Sequence, residues 1–471
     1  MSVASPKLRA GVGEHRASIL VAGLSAAFGV ALLRLTTVLS VYIQSQGVGH
    51  HGSVRLALTL VAAVFIIISV YVGAIVTTNT FATIIAGRTR TIALLRLIGS
   101  SAQSQRRAVA RQGLLVGVIG SAAGSIIGLT VVDLGCALLV TTHVVPALDY
   151  GWGEPQEIVP AIFVILTTWL ASWIGSRRVL NVTPIQATGA GQELSADESR
   201  NRPARNVFSM IMLVVGLVLI GFGVAVGQVT QLAVLVSLVG GIVSFTGLIL
   251  GAHLVIPPVL SLVGRLFGRS AAARLAAANA VRNPVRSSRT TIGLAIGVTL
   301  VVMFVVASQS YQAIVFAAQA NTPQAYAGAT QVLTITTTVF SILVGYSGVI
   351  GAVGMVNNLS LSVLQRTREL GLLRALGFSK AQLRVMIVSE SAQMAIAAII
   401  TGIVLGTFYG WAGAQSLLGS IHGHGGIVAP VLPWALFLGV AIAAAAIALI
   451  ASIAPTRRAT AVSPIGALAV E

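Results

Sequence analysis

The side chains best equipped for chemistry in this sequence are arginines, and they come in a pattern that occurs twice. RTRTIALLRLIGSSAQSQRR begins at Arg88, and RTRELGLLRALGFSKAQLRV begins at Arg366. Arg88, Arg90, Arg96, Gly99, Ser101 and Arg106 match Arg366, Arg368, Arg374, Gly377, Ser379 and Arg384 at one offset, 366 minus 88, or 278 residues. Each copy interleaves charged residues with leucines. In the second, Leu370, Leu372, Leu373, Leu376 and Leu383 alternate with Arg366, Arg368, Glu369, Arg374, Lys380 and Arg384. A helix of this kind can lie on lipid headgroups or dock into a groove on another protein. Two copies at equivalent places suit docking better. Gly377 is placed to end one helical turn, and Ser379 to cap the next helix. The chemistry implied is binding. No nucleophile with a base, paired carboxylates or metal-ligand set is recognisable, so the expected catalytic residues are none and the expected metal is none.

Charged residues inside apolar runs are the second chemical feature, because lipid makes them expensive and they are often functional. Arg34 lies in the outer half of the first apolar run, and Asp133 at similar depth in the third. They can neutralise each other as an ion pair, or line a gate or substrate site. His50-His51, His422 and His424 fall in connections, and HGHGG lacks a matching carboxylate. His253, beside Pro257-Pro258, reads as a packed histidine. Trp152, Trp169, Trp173 and Trp434 fall near span ends, where aromatic belts are usual.

These residues must be positioned by membrane helices. Hydrophobic residues are 56% of the 471 and charged residues 8%. Mean hydropathy is +0.94. A soluble domain carries roughly 25% charged residues, and several apolar stretches exceed the ~20 residues that cross a bilayer as helix. The formal charge of +18 points to nucleic acid only until its distribution is seen. Of 29 Lys and Arg, 27 fall in six polar segments: 1–18, 87–112, 177–206, 264–290, 366–384 and 457–458. That is the positive-inside pattern, and it places both termini in the cytoplasm. The basic start reads as a cytoplasmic N-terminus leading into a retained helix. The single cysteine, Cys136, allows no disulfide framework within the chain.

Ten spans are expected, at roughly 18–43, 55–86, 113–142, 157–176, 207–227, 231–256, 291–316, 329–362, 386–418 and 432–454. A second echo follows each arginine motif: Arg177, Arg178, Pro184 and Ile185 return as Arg457, Arg458, Pro464 and Ile465. The duplicated unit is therefore a whole module. The expected fold is all-α and polytopic, with two parallel four-helix modules joined by a central helix pair. The expected boundaries are 1–188 for the first module, 189–206 for a cytoplasmic linker, 207–263 for the central pair and 264–471 for the second module. Gly117–Gly128 (GVIGSAAGSIIG) reads as a close-packing face.

RTRELGLLRALGFSKAQL resembles the signature of the FtsX-like permeases, which include macrolide-exporter and lipoprotein-release ABC transporter subunits. The echo through Arg457, Arg458, Pro464, Ile465, Ala467 and Leu468 is similar to the same family. The resemblance covers both four-span modules and implies a separate cytoplasmic ATPase homodimer, with 88–106 and 366–384 as its coupling helices. ATP and Mg would then be bound by the partner, with no cofactor in this chain. The sequence agrees by subtraction: its lysines, Lys7 and Lys380, do not sit in a G-x-x-x-x-G-K-[ST] loop. One permease chain per two ATPases follows from the duplication. Thr91 in place of Glu369, and Gln112 in place of Glu390, make the docking elements unequal. The connections 44–54 and 316–328 lack the large extracytoplasmic domain of those exporters. That favours cargo met in or at the membrane: a lipid, lipopeptide or membrane-active antibiotic. A regulatory transmitter that moves no cargo is the alternative, and a secondary transporter a third. The expected location is the bacterial plasma membrane.

Overall fold

The computed structural model describes residues 16–45, much of 60–78, 94–142 except 96, 146–148, 150, 155–177, 203–265, 278, 284–321, 376–420 and 426–446 except 436. Every described element is helical. Contacts divide the chain into two units, Met1–Gly191 and Gln192–Glu471.

The first unit is built on α1 (Arg16–Ser45) and α2 (Ala102–Thr141), with a 3₁₀ turn (Pro155–Ile158) leading into α3 (Val159–Gly175). Long apolar runs become helices because helix alone satisfies every backbone group within one segment in lipid. α2 has 40 residues. At 1.5 Å per residue it is about 60 Å long, roughly twice the hydrocarbon core. Its first turns carry Arg106, Arg107 and Arg111, so the arginine-bearing third projects beyond the apolar part.

α1 and α2 run parallel, and glycines set their spacing. A Cβ on Gly120 would meet Ile19 and Ala22, one on Gly124 would meet the Gly23 carbonyl, and one on Gly128 would lie 2.6 Å from the Ala27 carbonyl oxygen. Only glycine lets the two backbones approach so closely. Ala22, Ala26 and Val164 form a buried cluster beside this seam.

The second unit contains α4 (Pro203–Val226), α5 (Ala233–Leu250), α6 (Ala252–Gly264), α7 (Pro284–Asn321) and α8 (Lys380–Leu418). α7 and α8 repeat the parallel seam. A Cβ on Gly402 would lie 2.6 Å from Val298 Cβ, and one on Gly406 would lie 2.7 Å from the Thr299 carbonyl oxygen. Gly402 and Gly406 are Gly124 and Gly128 plus 278, so the duplication extends to the packing. The α4–α5 pair docks on the far half of α8: the Tyr409 and Ser244 hydroxyls lie 2.9 Å apart, and the Tyr409 ring meets Phe245 edge-on at 6.0 Å.

Among the described residues, six helices are long and apolar enough to cross a membrane: α1, α2, α4, α5, α7 and α8. The expected span at 329–362 lies outside the described residues, as do parts of those at 55–86 and 432–454. Two expected boundaries move. α4 begins at Pro203, inside the expected linker, whereas α7 begins at Pro284 but its apolar part, Thr291–Ala317, falls where the seventh span is expected. Proline is well tolerated at the first helical position, where its missing N–H would be unbonded anyway. The sixth span ends at Leu250, not near Pro257-Pro258: the chain breaks at Gly251, and both prolines lie inside α6. His253, on α6, is packed as expected, 2.8 Å from Asn206 Oδ1 and 3.2 Å from the Arg205 guanidinium.

Candidate functional site

The described end of the repeated motif, the glycine turn and the serine after it, has the same geometry in both copies. Gly99 has φ 99° and Gly377 φ 97°, a left-handed conformation that ends a helix and favours glycine. A Cβ at either would meet nothing within 4 Å, so the backbone, not crowding, requires glycine there. Around Gly99 the Ser100 N–H donates to the Leu95 carbonyl at 2.9 Å, the six-to-one bond of a Schellman close. Two residues later the next helix is capped. Ser101 accepts from the Ser104 N–H, and Ser379 from the Gln382 N–H at 3.2 Å. In the second copy the Ser379 N–H also donates to Gln382 Oε1 at 2.9 Å, completing a capping box. Leu97, Ile98 and Leu376 are exposed beside these turns. Arg88, Arg90, Arg96, Arg366, Arg368, Glu369 and Arg374 lie outside the described residues.

Arg106 in the first motif lies 3.8 Å from the centroid of the Trp173 ring on α3. A guanidinium over an indole is a favourable cation–π contact. Sequence reading placed Trp173 only in an aromatic belt.

At the far end of the first unit the structure brings Arg34 and Asp133 together. Arg34 Nε donates to Asp133 Oδ1 at 2.9 Å. The same guanidinium donates through Nη1 to Glu157 Oε1 at 3.3 Å and to the Tyr150 carbonyl at 3.2 Å. Arg34 is only 2% exposed, while Asp133 keeps 19%. Bonds donated to two carboxylates and a carbonyl help a buried guanidinium to offset its desolvation. The network therefore ties α1, α2 and the connection before α3 into one body. Glu157 and the Tyr150 carbonyl were missed in the sequence. The available signal was a carboxylate at the first turn of the fourth span, two helices away from an unexplained arginine.

The second unit places no charge at the matching positions. Asp133 plus 278 is Trp411, and Glu157 plus 280, the offset of the second echo, is Phe437. The corresponding connection is still fastened. Trp411 Nε1 donates to the Val428 carbonyl at 2.6 Å, Gln415 Nε2 donates to the Gly426 carbonyl at 3.4 Å, and the Val428 N–H donates to Gln415 Oε1 at 3.2 Å. His50, His51, His422 and His424 lie outside the described residues, and among those described no three His, Cys, Asp or Glu gather as metal ligands.

Parallel glycine seams, long helices entered through matching glycine turns with serine caps, and apolar faces define a duplicated helical membrane protein. Comparison gives that class a family. The FtsX-like permease C-terminal family matches residues 63–184 and 341–464, and the chain belongs to the FtsX-like permease family, whose domain it carries twice. It is 29% identical over 151 residues to the uncharacterized ABC transporter permease YknZ of Bacillus subtilis (strain 168), covering 32% of this chain and 36% of that one. It is 29% identical over 120 residues to the uncharacterized ABC transporter permease MJ1507 of Methanocaldococcus jannaschii, covering 25% and 29%. The chain thus spans about a third of the length of the curated relatives it matches.

Proposed function

We propose that this chain is the membrane permease subunit of an ABC transporter, driven by a separate cytoplasmic ATPase dimer. The carrying observation is the twin turn: Gly99–Ser101 and Gly377–Ser379 share backbone geometry, caps and exposed apolar neighbours at one constant offset. An element built twice with that fidelity, at the entry to each long parallel helix, suits two like docking sites on a symmetric partner. Relatives named as ABC transporter permeases support the same reading. ATP and Mg then belong to the partner, and one permease chain serves two ATPases. Closure of the ATPases would pull on α2 and α8, because a partner shifts an equilibrium only through contacts that differ between states. Ten spans, cytoplasmic termini and a bacterial plasma membrane complete the reading, with the arginine segments inside. The cargo is hydrophobic or amphipathic, met in the membrane or at its outer face.

The test is co-purification with a candidate ABC ATPase from the same genome and ATP turnover in lipid nanodiscs. Arg96→Glu combined with Arg374→Glu should abolish both association and cargo-stimulated turnover. A stable complex whose turnover ignores lipids and amphipathic antibiotics would turn the reading to a regulatory transmitter. No association would remove the ABC assignment.

A further inference from the structure

The two motif helices open with different charges. Arg106 returns as Arg384, but Arg107 and Arg111 return as Val385 and Ser389 at the same offset. Two arginines therefore belong to α2 alone, and the duplicated motif does not account for them. Opposite charge is also scarce around them. From residue 15 to residue 132 the sequence has no Asp or Glu, and among the described residues no carboxylate lies within ion-pair reach of either guanidinium.

Helix geometry separates the pair from Arg106. At about 100° per residue, Arg106 shares the face of Gly113 and Gly117, which pack on α3, and its guanidinium lies over Trp173. Arg107 and Arg111 lie about 100–140° further round, and both are exposed. Further along α2, Leu114, Val118 and Ala122 continue that face, and with the two arginines they form one stripe about 80° wide. Leu114 and Val118 are 41% and 44% exposed. The stripe is cationic where the helix starts and apolar beyond. Its depth fits the membrane surface. Trp173, near the end of α3, is of the type that gathers at the interface, and Arg106 rests on it. Arg107 and Arg111 are about 6 Å apart along the axis, within a headgroup layer about 5–8 Å deep.

We propose that this stripe of α2 binds an anionic phospholipid from the leaflet on the arginine side. The phosphodiester is held between the guanidinium groups of Arg107 and Arg111, which recognise phosphate through charge-assisted N–H donors. One acyl chain lies along Leu114, Val118 and Ala122. A zwitterionic lipid brings its own ammonium toward the same two cations and is disfavoured. The matching face of α8 lacks both cations, so the first unit carries this site and the second does not. The site does not rest on the transport reading.

The test uses the full chain without ATPase, in detergent, titrated with phosphatidylglycerol or phosphatidylcholine of the same acyl chains. Bound lipids are counted by native mass spectrometry. Phosphatidylglycerol should bind saturably and at least about tenfold more tightly than phosphatidylcholine. Arg107→Gln with Arg111→Gln should erase that preference, and Arg107→Lys with Arg111→Lys should keep most of it. Both arginines are exposed, so neither change disturbs packing. Arg265→Gln with Arg384→Gln removes the same charge from the second unit and should leave the preference intact. Glycerol phosphate, which has the charge without the chains, should not displace the lipid. Equal binding of the two lipids, a preference that survives the α2 pair, or equal loss with the second-unit pair overturns the site. Displacement by glycerol phosphate replaces a lipid site by one for free phosphate. An α2 pair that keeps the lipid preference but no longer binds the ATPase assigns the two arginines to the partner and overturns the proposal.

Discussion

The two units fasten the same connection, the one that follows the long motif helix, with opposite chemistry. In the first unit a buried guanidinium gathers Asp133, Glu157 and the Tyr150 carbonyl. In the second, an indole and a carboxamide on α8 hold Gly426 and Val428 through neutral hydrogen bonds. The topology is shared, but the fragility is not. A buried ion network is strong only while complete, because removing one member strands the others without solvent. A neutral hydrogen bond is worth roughly 1 kcal/mol net. Duplication has therefore kept where the connection is tied and changed how it fails.

The largest effect should come from Arg34→Met. It strands Asp133 and Glu157, and losing one partner of a buried pair costs about 3–5 kcal/mol. Trp411→Phe removes one donor to Val428 and should cost about 1–2 kcal/mol. Equilibrium unfolding in mixed micelles measures both. The combination Arg34→Met, Asp133→Leu, Glu157→Leu should recover most of the loss, since apolar replacement of a whole buried ion network is often neutral. Equal losses for the two single variants, or no recovery in the combination, would erase the contrast between the units.

Much of this was legible in the residues. The constant offset exposed the duplication, and Gly377 and Ser379 marked a helix end and a helix start because each type satisfies one specific backbone need. Arg34 and Asp133 stood out because charge within an apolar run demands a partner. What stayed hidden was long-range or carried by backbone. The Tyr150 carbonyl has no side-chain signature as an acceptor. Glu157 sits at a span boundary, where a carboxylate looks solvated, yet the 3₁₀ turn folds it inward. Arg106 over Trp173 joins helices 67 residues apart, 173 minus 106. The break at Gly251 was missed because Pro257-Pro258 look like the stronger stop, although α6 carries both. The glycine stretch was read correctly as packing, but its partners on α1 came only with the register of the two helices.

That register yields the next contrast. A Cβ on Gly124 would run into the backbone carbonyl of Gly23, and one on Gly402 would lie 2.6 Å from both Cβ and Cγ1 of the buried Val298. Gly124→Ala and Gly402→Ala should therefore each cost about 1–3 kcal/mol as overpacking. Gly135 and Gly413, also 278 apart, are the matched control, because a Cβ on either meets nothing within 4 Å. Alanine at those two positions should leave stability unchanged or raise it by up to about 1 kcal/mol, the helix-propensity gain over glycine. The same unfolding assay decides. A loss at Gly135 as large as at Gly124 would mean that glycine content, not the seam, matters.

The smallest effect concerns the caps at the two glycine turns. Ser379 and Gln382 satisfy each other's backbone N–H groups, while Ser101 faces Ser104, which offers no reciprocal bond. Ser379→Ala should cost about 1 kcal/mol, and Ser101→Ala somewhat less. Ser104→Gln should complete the box in the first copy and slow hydrogen exchange in the opening turn of α2 toward the rate at α8. If the caps serve only local stability, ATP turnover in the complex will follow neither change. If they hold the coupling turns in register, turnover will fall in Ser379→Ala by more than the unfolding loss explains, and Ser104→Gln will reduce the difference between the two copies. Slowed exchange without any change in turnover would confine the inequality of the two turns to folding, leaving Thr91 against Glu369 as the remaining place to look for unequal docking.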